Sequence, residues 1–212
     1  MLFNSLAYAV FLPLVFLIYW LVFPRRLKWQ NLWLVAASYY FYACWDWRFL
    51  SLIILSSLID YGAGLALGKF TRDLHRKLFL WLSIVTNIGI LGFFKYYNFF
   101  IDSLLHASPG LRYVVGDARL DIILPVGISF YTFQTLSYTI DVYRRKLAPT
   151  KDLIAFLAFV SFFPQLVAGP IERATNLLPQ ICNPRTFDYR KAVDGMRQIL
   201  WGFFKKILIA DS

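Results

Sequence analysis

The stretch FFPQLVAGPIER, Phe162 to Arg173, begins like the interior of a membrane helix and then gathers Pro164, Gln165, Gly169, Pro170, Glu172 and Arg173. Helix breakers and a charge pair stand where so apolar a chain should be crossing a bilayer. Whether this stretch spans or turns back decides the fold.

Its surroundings set the problem. Of 212 residues, 59% are hydrophobic, 19% aromatic and 16% charged, and the apolar ones come in long blocks that do not alternate with polar residues. That is the make-up of a polytopic membrane protein. A hydrocarbon layer about 30 Å thick takes about 20 apolar residues in a helix. Blocks at Phe3–Phe23, Asn31–Trp45, Phe49–Gly68, Leu78–Phe100 and Ile122–Tyr143 predict five transmembrane helices. The short second block finishes its crossing with flanking tryptophans. A sixth apolar block, Leu153–Ile171, contains the opening stretch. The predicted class is all-α. The first block is no signal peptide, because no basic residue precedes it and it ends in Pro24-Arg25-Arg26 without a small-residue cleavage site.

A net charge of +10 invites a nucleic-acid partner, but that role needs Lys and Arg gathered on one face. Here they gather in alternate loops. Arg25, Arg26 and Lys28 make +3 after the first block; Asp46 and Arg48 cancel after the second; Lys69, Arg72, Arg76 and Lys77 against Asp73 make +3 after the third. Arg112 and Arg119 against Asp102, Asp117 and Asp121 make −1 after the fourth; Arg144, Arg145, Lys146 and Lys151 against Asp152 make +3 after the fifth. This is a positive-inside pattern with the N-terminus outside. No nucleic acid is expected as a partner; the lipid bilayer is.

The rule bears on the opening stretch. If Leu153–Ile171 crossed fully, the basic tail from Glu172 to Asp211, net +3, would emerge outside. A segment that enters, bends at Pro164, loosens at Gly169-Pro170 and returns keeps the tail inside. Free carbonyls are then expected near Phe163 and Ala168, with Gln165 and the Glu172–Arg173 pair placed to satisfy them or hold water. Non-helical backbone at that depth has to be buried in protein or line a cavity. An ordinary Pro-kinked span is the alternative.

In LPVGISFYTFQTLSYTIDVYR, residues Gly127, Tyr131, Gln134, Tyr138 and Asp141 follow a 4, 3, 4, 3 spacing and share one helix face. A mid-membrane Gln turns that face into the bundle, for helix-to-helix hydrogen bonds or for substrate contact. Asp60 lies too deep to meet Lys95, by roughly 10 Å, so Lys95 is expected to snorkel outward and Asn87, at matching depth, to bond Asp60.

Candidate catalytic residues are few. His75 in TRDLHRK and His106 in LLHASPG are the two histidines and read as solvated loop residues. Cys44 and Cys182 have no ligand partner at useful spacing and read as packing residues, so no metal site is expected. Phosphate-binding, hydrolase-elbow and dinucleotide motifs are not found in the sequence.

The ordered runs ASYYFYACWDWRFL, LGFFKYYNFF, LPVGISFYTFQTLSYTIDVYR, FFPQLVAGPIER and GFFKKILIADS resemble the N-terminal half of the membrane-bound O-acyltransferases. The likeness covers the whole chain as one partial domain, 1–212, and is greatest to the branch that holds bacterial alginate O-acetyltransferase and the D-alanine transfer protein of teichoic acid modification. It implies a bacterial cytoplasmic membrane protein built around a funnel, here incomplete. It implies acyl transfer from a cytoplasmic donor, acetyl-CoA or another acyl thioester, to hydroxyls of an extracytoplasmic polysaccharide such as alginate, directly or through an extracytoplasmic acetyltransferase. No cofactor is implied. Tyr131, Gln134, Tyr138, Gln165, Glu172 and Arg173 become the expected funnel-lining residues. The family's catalytic histidine falls beyond Ser212, so no catalytic residue is expected in this chain, which reads as a truncated, inactive half. Two other classes use the same features: a small transporter or flippase, and a non-catalytic subunit recruiting a soluble acetyltransferase through Ile101–Asp121.

Overall fold

The computed structural model describes residues 3, 5–107, 120–166, 169 and 172–210, and all the regular structure among them is helical. Helix α1 (Leu6–Leu17), capped by the Ser5 hydroxyl, runs on as a wide π turn through Val22. α2 (Leu27–Asp46) and α3 (Leu50–Lys69) are joined by a tight turn, Trp47–Phe49, entered through extended backbone at Asp46. α4 (Asp73–Leu91) continues through a π turn, Gly92–Tyr96, into α5 (Tyr97–Ala107). α6 (Ile128–Tyr143), α7 (Leu153–Val160), the single turn α8 (Phe163–Leu166), α9 (Ala174–Cys182) and α10 (Tyr189–Phe204) follow.

Two helical stretches are long and apolar enough to cross a membrane, Leu27–Lys69 (43 residues) and Asp73–Ala107 (35 residues). The runs Leu6–Val22 and Leu153–Leu166 are shorter. Two predicted blocks change their bounds. The fourth starts earlier and runs longer than Leu78–Phe100. The fifth is helical only from Ile128, because Pro125 and a left-handed Gly127 (φ 76°) hold the chain non-helical before it.

α3, α4 and α6 pack as one group, while α7 lies between α2, α3 and α6 and is covered by α9. The core centres on Tyr131, Tyr138, Phe156 and Phe159, all fully buried. A second aromatic cluster joins Tyr8, Phe41 and Phe163, so α1, α2 and α8 meet at one end of the bundle.

The opposite end is marked by Arg76, buried and donating to the carbonyls of Leu67 (2.5 Å) and Tyr143 (2.7 Å). One guanidinium thus caps the C-termini of α3 and α6, where helix dipoles present partial negative charge. In the sequence Arg76 reads only as a loop charge. Pro149 packs on Gly68 at this end, and the Tyr61 hydroxyl donates to the Lys151 carbonyl.

The stretch from Asp152 to Cys182 is a hairpin. It leaves this basic end at Asp152, which caps α7, and reaches the Tyr8–Phe41 cluster at Phe163. By Cys182 it has returned, with the thiol 4.0 Å from the Thr150 hydroxyl and the Ile181 carbonyl accepting from Asn31 at the start of α2.

The tail starts at the basic end, as expected, but continues from there as an amphipathic helix, α10, towards the opposite end. Phe187 touches Phe16 and Trp20, and Phe203 touches Tyr8 at the other end. Arg185, Arg190 and Lys191 therefore lie at the Trp20 end and Lys205 at the Tyr8 end.

Other corrections are local. His75 and His106 lie on α4 and α5 rather than in loops. His75 is half-buried, stacked on Phe70 (5.3 Å), and His106 is exposed. Cys44 is exposed, not packed, and Cys182 is half-buried.

Candidate functional site

The break in the hairpin falls at Ser161–Phe162, before Pro164. Pro164 occupies the first turn of α8, where its missing N–H deprives no helical partner. The backbone groups that the break orphans are found by neighbouring helices. Gln134 of α6 donates its amide to the Phe159 carbonyl at 2.6 Å, and the Phe163 N–H donates to the Ser38 hydroxyl of α2 at 3.2 Å. The open carbonyl is therefore that of Phe159, not Phe163, because α7 stops sooner than the proline demands. Ala168 lies outside the described residues. Gln165 comes within 3.5 Å of Gln134, and all four of Tyr131, Gln134, Tyr138 and Gln165 are buried together.

Gly127 seats this junction against α6. Its positive φ suits glycine, and a Cβ there would come 2.5 Å from the Leu166 carbonyl oxygen. Beside it the Tyr42 hydroxyl donates to the Val126 carbonyl at 2.9 Å. Tyr138 is a strut: its hydroxyl accepts from the Thr150 N–H at 3.2 Å, its ring lies 4.7 Å from that of Phe156, and Gly64 leaves the space that it fills. The Tyr131 hydroxyl and the Thr132 hydroxyl are buried with no hydrogen-bond partner.

Glu172 and Arg173 do not join this group. Both are exposed at the start of α9, and Glu172 approaches Asn176 at 3.5 Å rather than any freed carbonyl.

A second polar cluster sits on another face of α6. Asp60 is fully buried and accepts from both the Ser83 hydroxyl and the Asn87 amide (3.0 and 2.8 Å). Asn87 in turn accepts from Ser56 (2.8 Å) and Thr135 (3.3 Å), and Thr139 lies 3.5 Å from Asp60. The expected Asp60–Asn87 bond is present; the sequence reading missed the threonines, although Thr132, Thr135 and Thr139 follow a 3, 4 spacing. Lys95 is exposed, 3.3 Å from the Ser129 hydroxyl, and takes no part.

Comparison with known proteins places this geometry. The chain aligns over its full length with a probable alginate O-acetylase, AlgI, of Azotobacter vinelandii at 42% identity, covering 42% of that protein. The protein of the same name from Pseudomonas aeruginosa is 41% identical, with 40% of its length covered. A peptidoglycan O-acetyltransferase of Helicobacter pylori is 32% identical, with 45% covered. The chain is similar over its whole length to the N-terminal half of these O-acetyltransferases, which are of the membrane-bound O-acyltransferase type. It spans about two fifths of the length of these curated relatives. No family model matches it, and no solved structure does. In this chain buried polar groups gather where α6 meets the broken hairpin and where α6 meets α3 and α4.

Proposed function

We propose that residues 1–212 form the N-terminal part of an O-acetyltransferase that moves an acetyl group from a cytoplasmic thioester, acetyl-CoA or another acyl thioester, to hydroxyls of an extracytoplasmic polysaccharide such as alginate. Transfer is direct or passes through an extracytoplasmic acetyltransferase partner. The observation that carries this reading is the match, over the whole of these 212 residues and at 42% identity, to part of a protein named as a probable alginate O-acetylase.

In this reading α1, α2, α3, α4–α5 and α6 cross the bacterial cytoplasmic membrane with the N-terminus outside. Arg76 and the other basic groups face the cytoplasm, as the charge bias of the loops requires. The hairpin from α7 to α9 is re-entrant, and its broken backbone is tolerated because protein satisfies it. α10 lies beside α1 with its polar face turned to the funnel. Gln134, Gln165, Tyr131 and Tyr138, buried behind it, brace the wall against which donor and acceptor meet.

Acyl transfer needs a general base for the acceptor hydroxyl. Neither histidine suits the role: His75 is stacked on Phe70 at the basic end, and His106 is exposed at the end of α5. The base is assigned to the part of the longer relatives that this chain does not match. This chain's own contribution is positioning.

A chimera tests the reading. The matching region of the A. vinelandii protein is replaced by these 212 residues, and ester-linked acetate on alginate is measured. Restored acetylation supports the proposal. A chimera present in the membrane at the normal level that leaves alginate unacetylated contradicts it.

A further inference from the structure

Arg185, between α9 and α10, carries a charge that no carboxylate among the described residues balances. Its guanidinium is half-buried, donates to the Asn31 side-chain oxygen and to the Ile181 carbonyl (3.3 Å), and lies 5.4 Å from the centre of the Tyr19 ring. All three partners are neutral. No carboxylate among the described residues forms an ion pair with it. Its Nε is buried with no acceptor at all. Burial holds the guanidinium below its ordinary pKa, partly offset by Tyr19 and Cys182. A cation withdrawn from water in this way calls for an anion.

Beside it opens a cleft of about 240 Å³. Leu12, Phe16, Leu34 and the Phe162–Pro164 break line it, and Tyr19 and Trp20 stand with Arg185 at one end. From Trp20 back to Leu12 along α1 the cleft runs about 12 Å. Among the described residues that line it, Arg185 supplies the only charge.

We propose that this cleft holds an anionic phospholipid, with the phosphate on Arg185 and the first part of one acyl chain running along Leu12 towards Phe163. Charge selects the headgroup. The lining selects the tail: an acyl chain requires no hydrogen bonds, whereas the pantetheine arm of a thioester donor brings two amides that these walls would leave unpaired. Aromatic residues at the charged end suit the level of lipid headgroups. The proposal needs a bilayer but does not depend on acyl transfer, so it stands or falls apart from the activity.

The test uses the whole chain, delipidated in a neutral detergent, with bound lipid counted by native mass spectrometry after adding phosphatidylglycerol or phosphatidylcholine. Selective retention of phosphatidylglycerol is expected. Arg185→Gln should weaken it about tenfold, the scale of one charge-assisted hydrogen bond, and Arg185→Lys should keep most of it. Leu12→Trp, which fills the cleft and leaves the charge, should also weaken it, with helix content checked by circular dichroism. Equal retention of the two lipids by the folded wild-type chain would overturn the proposal, as would undiminished phosphatidylglycerol binding by folded Arg185→Gln. Displacement of the lipid by inorganic phosphate or by pantetheine 4′-phosphate at equal concentration would overturn it too, since either would show that the tail contributes nothing.

Discussion

The side-chain amide of Gln134 donates to the carbonyl of Phe159 at 2.6 Å, across the gap between α6 and the end of α7. This bond lets an apolar helix stop inside the bundle without leaving a bare carbonyl. Gln134→Leu keeps the volume and removes the donor, so the Phe159 carbonyl is left unpaired. We expect a loss of about 1 kcal/mol, the scale of membrane hydrogen bonds, read as a lower unfolding midpoint in detergent. Unchanged stability would mean that the break is satisfied elsewhere.

Gly127→Ala meets two obstacles, a left-handed backbone (φ 76°) and the Leu166 carbonyl 2.5 Å from the new Cβ. The conformational part alone costs about 1–2 kcal/mol, and the close approach adds to it. Thermal unfolding of this variant should fall further than that of Gly89→Ala, where a Cβ meets nothing within 4 Å. Equal midpoints would contradict the seating of α8 on α6.

Asp60→Leu and Asp60→Asn separate packing from hydrogen bonding. Leucine strands Ser83 and Asn87, which both donate to the carboxylate. Asparagine keeps one acceptor for them. Asp60→Leu is expected to lose about 1 kcal/mol or more, and Asp60→Asn less; the reverse order in chemical denaturation would show that the cluster is not held by those bonds.

How much of this was legible in the sequence depended on whether a signal was periodic or relational. The Tyr131–Gln134–Tyr138 stripe showed through its spacing, and the Asp60–Asn87 pair through matching depth. Thr132, Thr135 and Thr139 were equally periodic, but threonine is too weakly polar to mark a face beside so many aromatics. Arg76 reads as one loop charge among several, since nothing local indicates that two helix C-termini, 75 residues apart at Leu67 and Val142, converge on it. Net charge does not mark the tail as a helix, whereas its apolar positions Val193, Met196, Leu200 and Phe203 follow helical spacing and point to α10. Glu172 and Arg173 are close to the break in sequence but not in space, since both are exposed at the start of α9.

Thiol chemistry distinguishes the two cysteines. Cys44 is exposed, whereas burial pushes the Cys182 thiol up from its ordinary value. Since the thiolate is the reactive form, Cys182 should alkylate slowly with iodoacetamide near neutral pH and faster as pH rises beyond the usual thiol range of about 8.5. Cys44 should be modified first throughout. Faster modification of Cys182 in the folded chain would show that α9 is not packed as described.

The central structural claim is that the stretch from Asp152 to Cys182 turns back, and the neighbours Thr150 and Cys182, 4.0 Å apart, test it most directly. Thr150→Cys in a Cys44→Ser background leaves two thiols facing each other across the base of the hairpin. Mild oxidation in membranes should close a disulfide between them within each chain, detected by mass spectrometry of the linked peptides. A full crossing would separate the two by a hydrocarbon layer of about 30 Å, and failure to form the bond, with Cys182 labelled by an impermeant maleimide from the side opposite Thr150→Cys, would contradict the account.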